Sequence, residues 1–206
     1  MCIRDRLCID NKDYDILDVI SESVKQMSEG ELLQIEKAKK LDIDEETYFE
    51  IIKKKTASLI SSCCKIAAVS VNSSASEIKK IAKIGMHIGI AFQIKDDLFD
   101  YGKKTIGKPR GIDIKQKKIT LPLIYTLNNV NKSVKRWLIN SLKKNKKSRA
   151  LINQIISLVK ERGGLDYAIQ IMNKYHKLST DDLETFKDSS YKDSLKKMVA
   201  EGHHPR

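Results

Sequence analysis

Three carboxylates close an apolar run, and a train of lysines follows at once. Asp96, Asp97 and Asp100 stand in "AFQIKDDLFDYGKKTIGKPRGIDIKQKKITL" (residues 91–121), with Lys103, Lys104, Lys108, Lys117 and Lys118 behind them. On a helix Asp96 and Asp100 share a face, Asp97 lies one step round, and Gln93 sits a turn earlier on the same side. Like charges so spaced repel by roughly 0.2–0.5 kcal/mol on an exposed helix, so the cluster alone demands no function. Its position does: Gly85, Gly89, Phe92 and Ile94 make the preceding turns nearly all apolar, which predicts a central helix, and carboxylates at the end of a buried helix need a compensating cation. A hard divalent ion such as Mg²⁺ takes one or two carboxylates, keeps several waters and completes its shell with phosphate oxygens. The lysines would bring point charges to the same anion.

The elements that must position these residues read as helices throughout. Only 3 Pro and 9 Gly occur, and apolar residues recur at spacings of three and four. Ile16, Leu17, Ile20, Val24 and Met27 form one stripe; Tyr48, Ile52, Leu59, Cys63, Ala67 and Val71 a second; Ile78, Ile81, Ile84, Ile88 and Phe92 a third, ending at the acids. Phe92 and Phe99 are expected in the core. A short helix with Val134, Trp137, Leu138 and Leu142 follows Ser133 as its cap; another, with Leu151, Ile155, Ile156 and Val159, stops at Gly163 and Gly164. Two more are expected near Leu165–Leu178 and from about Ser190. In "KITLPLIY" (Lys118–Tyr125) Pro122 argues against a central strand and suits the first turn of a helix. His87 reads as a packed side chain, since no second His or Cys lies a turn away.

The 206 residues, 41% of them hydrophobic, suffice for one core, and a single helical domain over 1–206 is expected. The ends "MCIRDR" and "AEGHHPR" leave the helical pattern and are candidates for non-native sequence. A formal net charge of +12 calls for an anionic partner. The basic residues are mostly lysines scattered along the chain without interleaved aromatics, which speaks against nucleic acid. Four cysteines without metal-ligand spacing fit a reducing cytoplasm, and no stretch reaches the roughly 18 apolar residues of a membrane span.

"GIAFQIKDDLFDY", followed by "GKPRGID" and "KKITLP", resembles the second aspartate-rich region of the trans-isoprenyl (polyprenyl) diphosphate synthases. "EGELLQ" (29–34) and "KTASL" (55–59) are similar to two further patches of that family, in the right order. The resemblance covers about Leu7 to Val199. It implies an all-α, isoprenoid-synthase-type helical bundle that condenses isopentenyl diphosphate with an allylic diphosphate, using Mg²⁺, as a homodimer. Carried over by residue, it implies that Asp96, Asp97 and Asp100 form the metal motif, with Asp96 the direct ligand and Gln93 beside it. Lys55 contacts the allylic diphosphate next to Thr56, Gln34 lines the cavity, and Lys108, Lys118 and Asp113 belong to the loop that closes over the diphosphate. One departure is that the family usually has Gly where Lys117 stands.

Taken without the resemblance, Gln34 is an ordinary helix-surface residue, Lys55 one of three solvated lysines, and Thr56 a helix residue bonding its own backbone. A second departure is larger. The family's first aspartate-rich motif, with its arginine pair, has no match upstream of Asp96; "DNKDYDILD" (10–18) spaces its acids differently. The bundle is therefore expected to be incomplete at its N-terminus and weakly active or inactive alone. Product length is not legible. A non-catalytic partner subunit of a prenyl synthase and a basic nucleic-acid-binding protein are the alternatives.

Overall fold

The computed structural model describes residues 2–40, 44–102 and 111–201. Lys103, Lys104 and Lys108 lie outside them. Among the described residues the chain is all helical: α1 (Cys2–Asp10), α2 (Tyr14–Lys40), α3 (Glu45–Ile52), α4 (Ser58–Ser70), α5 (Ala75–Phe99), α6 (Ile112–Lys115), α7 (Leu121–Asn128), α8 (Lys132–Lys143), α9 (Arg149–Glu161), α10 (Gly164–Glu184) and α11 (Ser190–Glu201). The helix over Cys2–Asp10, and the presence of Ala200 and Glu201 in α11, correct the expectation that the two ends leave the helical pattern; Met1 and residues 202–206 lie outside the described residues.

Sequence features fix the ends. Ser74 and Glu77 form a capping box at the start of α5. Asp44 accepts from the Thr47 amide at 2.8 Å, and Ser148 caps α9. At α8 the cap is Asn131, which accepts from Val134 N at 2.9 Å; Ser133 instead donates its hydroxyl to Asn131. Gly163, at φ 74, makes the tight passage from α9 to α10. Pro122 sits in the first turn of α7.

Helix α5 runs through the middle, packed on α4 along one side and α10 along the other. Two glycines allow the first contact: a Cβ on Gly89 would stand 2.5 Å from Ala57 Cα, and one on Gly85 2.8 Å from Ser61 Cα. The main core gathers Ile90, Ala91 and Ile94 of α5 with Leu121, Leu123 and Ile124 of α7, Ile155 and Ile156 of α9 and Met172 of α10. Each Ile, Leu or Met among them contributes roughly 1.5–3 kcal/mol on full burial. Phe92 and Phe99 are not core: they are 57% and 37% exposed, because α5 turns its Ile90/Ile94/Asp97 face inward and leaves theirs at the rim.

Between α3 and α4 the helix continues through a five-residue π turn, Lys53–Ala57, closed by the Ser58 amide on Lys53 O. The extra residue rotates everything after it by about one helical step. Leu59, Cys63, Ala67 and Val71, expected to continue the Tyr48/Ile52 stripe, are consequently exposed, while Ala57, Ser61 and Cys64 meet α5.

Candidate active site

The last two turns of α5 face the segment 111–120, and between them lies a buried, hydrogen-bonded group of charges. Asp97 is fully buried. Its Oδ2 accepts from the Tyr48 hydroxyl at 2.8 Å, and its Oδ1 accepts from Gln93 Nε2 at 3.1 Å and Lys118 Nζ at 2.9 Å. Lys118 also donates to Asp113 Oδ2 at 3.1 Å. Burial pushes the Asp97 carboxyl up, while the Lys118 charge and the hydrogen bonds from Lys118 and Tyr48 push it back. Burial likewise pulls the Lys118 ammonium down, but Asp97 and Asp113 outweigh it and hold it above the usual lysine range. The Asp97 carboxyl is left above its ordinary value, and the Lys118 ammonium stands within hydrogen-bond distance of both acids. Tyr48, raised far above its ordinary value by burial and by Asp97, remains a hydroxyl donor.

Gln93 carries this order outward. Its Oε1 accepts from Thr56 Oγ1 at 2.8 Å, so the amide is oriented by a donor on one side and a carboxylate on the other. Thr56 thus bonds across helices rather than to its own backbone. Lys55, beside it in the π turn, donates to Gln34 Oε1 at 3.1 Å and pairs with Glu31. Its neighbour Lys54 pairs with Glu29 and Glu50. Of these two lysines only Lys55 reaches the cleft, a space of about 230 Å³ lined by Gln34, Tyr48, Lys55, Thr56, Gln93, Asp96 and Lys118 among others.

The three aspartates do not gather on one point. Asp97 and Asp100, three apart, both turn toward 111–120; Asp100 accepts from the Asp113 amide at 3.2 Å, with burial raising its pKa against that bond. Asp96, a helical step away, lines the cleft. No group of three or more His, Cys, Asp or Glu side chains suited to a metal ion occurs among the described residues. The donor set still suits a hard divalent ion of the kind that takes one carboxylate and completes its shell with phosphate and water: a carboxylate stands on the wall, with Lys55 and Lys118 lining the same cleft. Asp100, the C-cap of α5 at φ −62 and ψ −21, keeps helical backbone one turn after Asp96, while its carboxylate accepts from the segment 111–120.

One feature escapes the sequence reading, and one departure noted there finds its outcome. Tyr48 reads as one member of an apolar stripe, yet a buried tyrosine hydroxyl needs a partner, and that need was the available signal. Lys117 adopts φ 64, so the turn normally given to glycine is retained with a lysine in it, at a strain of roughly 1–2 kcal/mol. His87 is packed, as expected, against Tyr175, with Nδ1 3.3 Å from Asp182 Oδ2.

This all-helical fold has counterparts among known proteins. The family model of polyprenyl synthetase matches residues 3–159, and the chain belongs to that family. It is 31% identical over 183 residues to a short chain isoprenyl diphosphate synthase of Methanothermobacter thermautotrophicus, covering 88% of this chain and 56% of the relative. It is 28% identical over 182 residues to an octaprenyl diphosphate synthase of Haemophilus influenzae, covering 87% and 55%. The crystal structure of a geranylgeranyl pyrophosphate synthase from Bacteroides thetaiotaomicron superposes with a TM-score of 0.86 at 34% identity, over 92% of this chain and 63% of that one. The chain spans about half the length of the curated relatives it matches.

Proposed function

We propose that the chain carries the diphosphate-binding side of a magnesium-dependent prenyltransferase that joins isopentenyl diphosphate to an allylic diphosphate. The observation that carries this reading is the Asp97 network: by holding Gln93 and Lys118 in place, it leaves Asp96, Lys55, Thr56 and Lys118 around one cleft. Asp96 is the residue that would hold magnesium; the ion, when bound, neutralises diphosphate oxygens and makes diphosphate a better leaving group. Lys55 and Lys118 bind the same anion as point charges, and Thr56 and Gln93 orient it. We place Lys108, outside the described residues, in the same anion shell.

In the reaction the allylic C–O bond breaks and its electrons leave with diphosphate. The alkene of isopentenyl diphosphate then forms the new C–C bond at the allylic cation, and loss of a proton restores a double bond. The protein's part is electrostatic stabilisation of the departing diphosphate and exclusion of water from the cation. A groove of about 890 Å³, lined largely by apolar side chains of α2 and α4 including Val24, Leu32, Leu59 and Ile66, shares Lys55 and Thr56 with the cleft and supports a place for the prenyl chain. Exposed Ile3 and Leu7 on α1 support homodimerisation through this helix. Among the described residues no helix is long and apolar enough to cross a membrane; the free thiols of Cys8, Cys63 and Cys64 support a reducing, cytoplasmic setting.

Titration calorimetry with inorganic pyrophosphate tests the reading. A binding event that appears only with Mg²⁺ should be present and should weaken about ten-fold or more in Asp96→Asn and in Lys55→Gln; Mg²⁺-dependent affinity unchanged in both would overturn it. The first aspartate-rich motif is not among these 206 residues, so the purified chain should turn over poorly or not at all. Steady prenyl transfer by it would contradict that expectation.

A further inference from the structure

The turn that carries Lys118 into the cleft carries a second lysine that the cleft does not use. Lys117 stands at φ 64, a conformation that glycine adopts without strain. Its Nζ donates to Asn145 Oδ1 at 2.7 Å, a neutral partner that orients the ammonium without neutralising it. Around it lies a groove of about 490 Å³ lined by Lys39, Lys117 and Lys143 together with Gln34, Gln116, Ile35 and Ala38. Ion pairs among the described residues go to lysines elsewhere, Lys54, Lys55, Lys83, Lys118 and Lys192 among them, and none goes to Lys39, Lys117 or Lys143. Local structure accounts for some of the nearby charge. Lys147 is buried, donates to Lys144 O at 2.9 Å, and has its pKa lowered by burial and then by Lys117. Lys143 lies in the last turn of α8, where a cation offsets the helix dipole. Neither account covers Lys117, since the turn closes as well with glycine.

We propose that this groove is a second anion subsite, which takes the diphosphate group of a small phosphorylated ligand between Lys39, Lys117 and Lys143 and borders the cleft through Gln34 and Ala38, lining residues of both. The choice of diphosphate rests on the function proposed above; the three lysines themselves call for a compact polyanion. Because no carboxylate lines the groove, binding there needs no divalent ion, which separates it from the cleft, where Asp96 does.

The test is titration calorimetry of the full 206-residue chain with inorganic pyrophosphate, once in EDTA and once in Mg²⁺. In EDTA the unaltered chain should bind pyrophosphate, and Lys117→Gly and Lys143→Gln should each weaken that binding about five-fold. Lys117→Gly removes the charge while relieving the backbone, so its thermal midpoint should equal or exceed that of the unaltered chain. That result keeps lost binding distinct from lost folding. Absence of binding in EDTA, affinity within two-fold of the unaltered chain in both variants, or competition by inorganic phosphate as strong as by pyrophosphate would each overturn the proposal. So would Lys117-dependent sedimentation with phosphatidylglycerol vesicles without pyrophosphate binding, which would make the groove a lipid-headgroup contact. Failure of the functional reading looks different: the Mg²⁺-dependent event is missing while the EDTA event remains.

Discussion

At the end of α5 the side chain of Asp97 points into the core while that of Asp96 faces the cleft, and this difference of one helical step decides what each can do. A carboxylate without exposed surface, holding Tyr48, Gln93 and Lys118, acts as an internal anchor for the groups that meet the ligand. Its worth can be measured. Tyr48→Phe removes a hydrogen bond to a buried charged group, and such bonds contribute about 1.5–3 kcal/mol. Urea unfolding should show a loss of that size, accompanied by weaker Mg²⁺-pyrophosphate binding as Asp97 and Gln93 lose their register. Lys118→Met should cost more, about 3–5 kcal/mol, because it strands a buried carboxylate. Adding Asp97→Asn to it should recover part of the loss, so the double-mutant cycle is strongly non-additive; additive costs would mean that the two groups do not act as a pair. The residue types at this site were legible in the sequence, as was their likeness to a metal and anion motif. Which aspartate turns inward was not, because α5 is apolar on more than one face and spacing alone gives no direction.

At the scale of elements, the site depends on how closely α5 lies on the π turn. Gly89 sets that distance: an added Cβ would fall 2.5 Å from the Ala57 backbone, and backbone cannot rotate aside as a side chain can. Gly89→Ala should lower stability by about 1–3 kcal/mol and push Lys55 and Thr56 away from Gln93, so thermal midpoint and pyrophosphate affinity should fall together. The opposite side of α5 carries a pH response. His87 faces Asp182 and Tyr175 of α10, with Lys83 of its own helix bonded to Asp182; burial lowers its pKa below 6.5, with Asp182 opposing and Lys83 adding to the effect. The unfolded chain then takes up this proton at higher pH than the folded one. The contribution is present above about pH 6.5 and is lost as pH falls toward the lowered folded value. Thermal midpoints measured between pH 7.5 and 5.5 should decline more steeply in the unaltered protein than in His87→Phe, which keeps the ring against Tyr175 without a titrating nitrogen. Parallel slopes would remove His87 from the account. Most helix positions could be read from periodicity, with Pro122 in the first turn of α7 and Gly163 after α9, although the one cap named, Ser133, gives way to Asn131. The π turn could not, since an inserted residue slips the phase of an apolar stripe without leaving a mark in composition. That slip is why the stripe drawn from Tyr48 to Val71 is buried only at Tyr48 and Ile52.

Across the whole molecule, the slipped half of that stripe acquires a use. Leu59 and Cys63, displaced from the core, line the large apolar groove beside Val24 and Leu32, and Lys55 and Thr56 stand where this groove meets the cleft. A ligand with a diphosphate at Lys55 and an apolar tail has one continuous path, its head among charges and its chain over α2 and α4. Cys63 reports on that path because it is exposed, whereas Cys8 is buried and Cys64, partly buried, has its thiol pKa raised by burial, which slows its reaction. Maleimide labelling at Cys63, read by peptide mass mapping, should be fast in the free chain. Farnesyl diphosphate with Mg²⁺ should slow it several-fold, whereas inorganic pyrophosphate with Mg²⁺, which fills the cleft and leaves the groove open, should not. Equal protection by both ligands would mean that a change of shape, rather than an occupying chain, shields the thiol. Protection by neither would separate groove from cleft and leave the apolar surface of α2 and α4 to another protein.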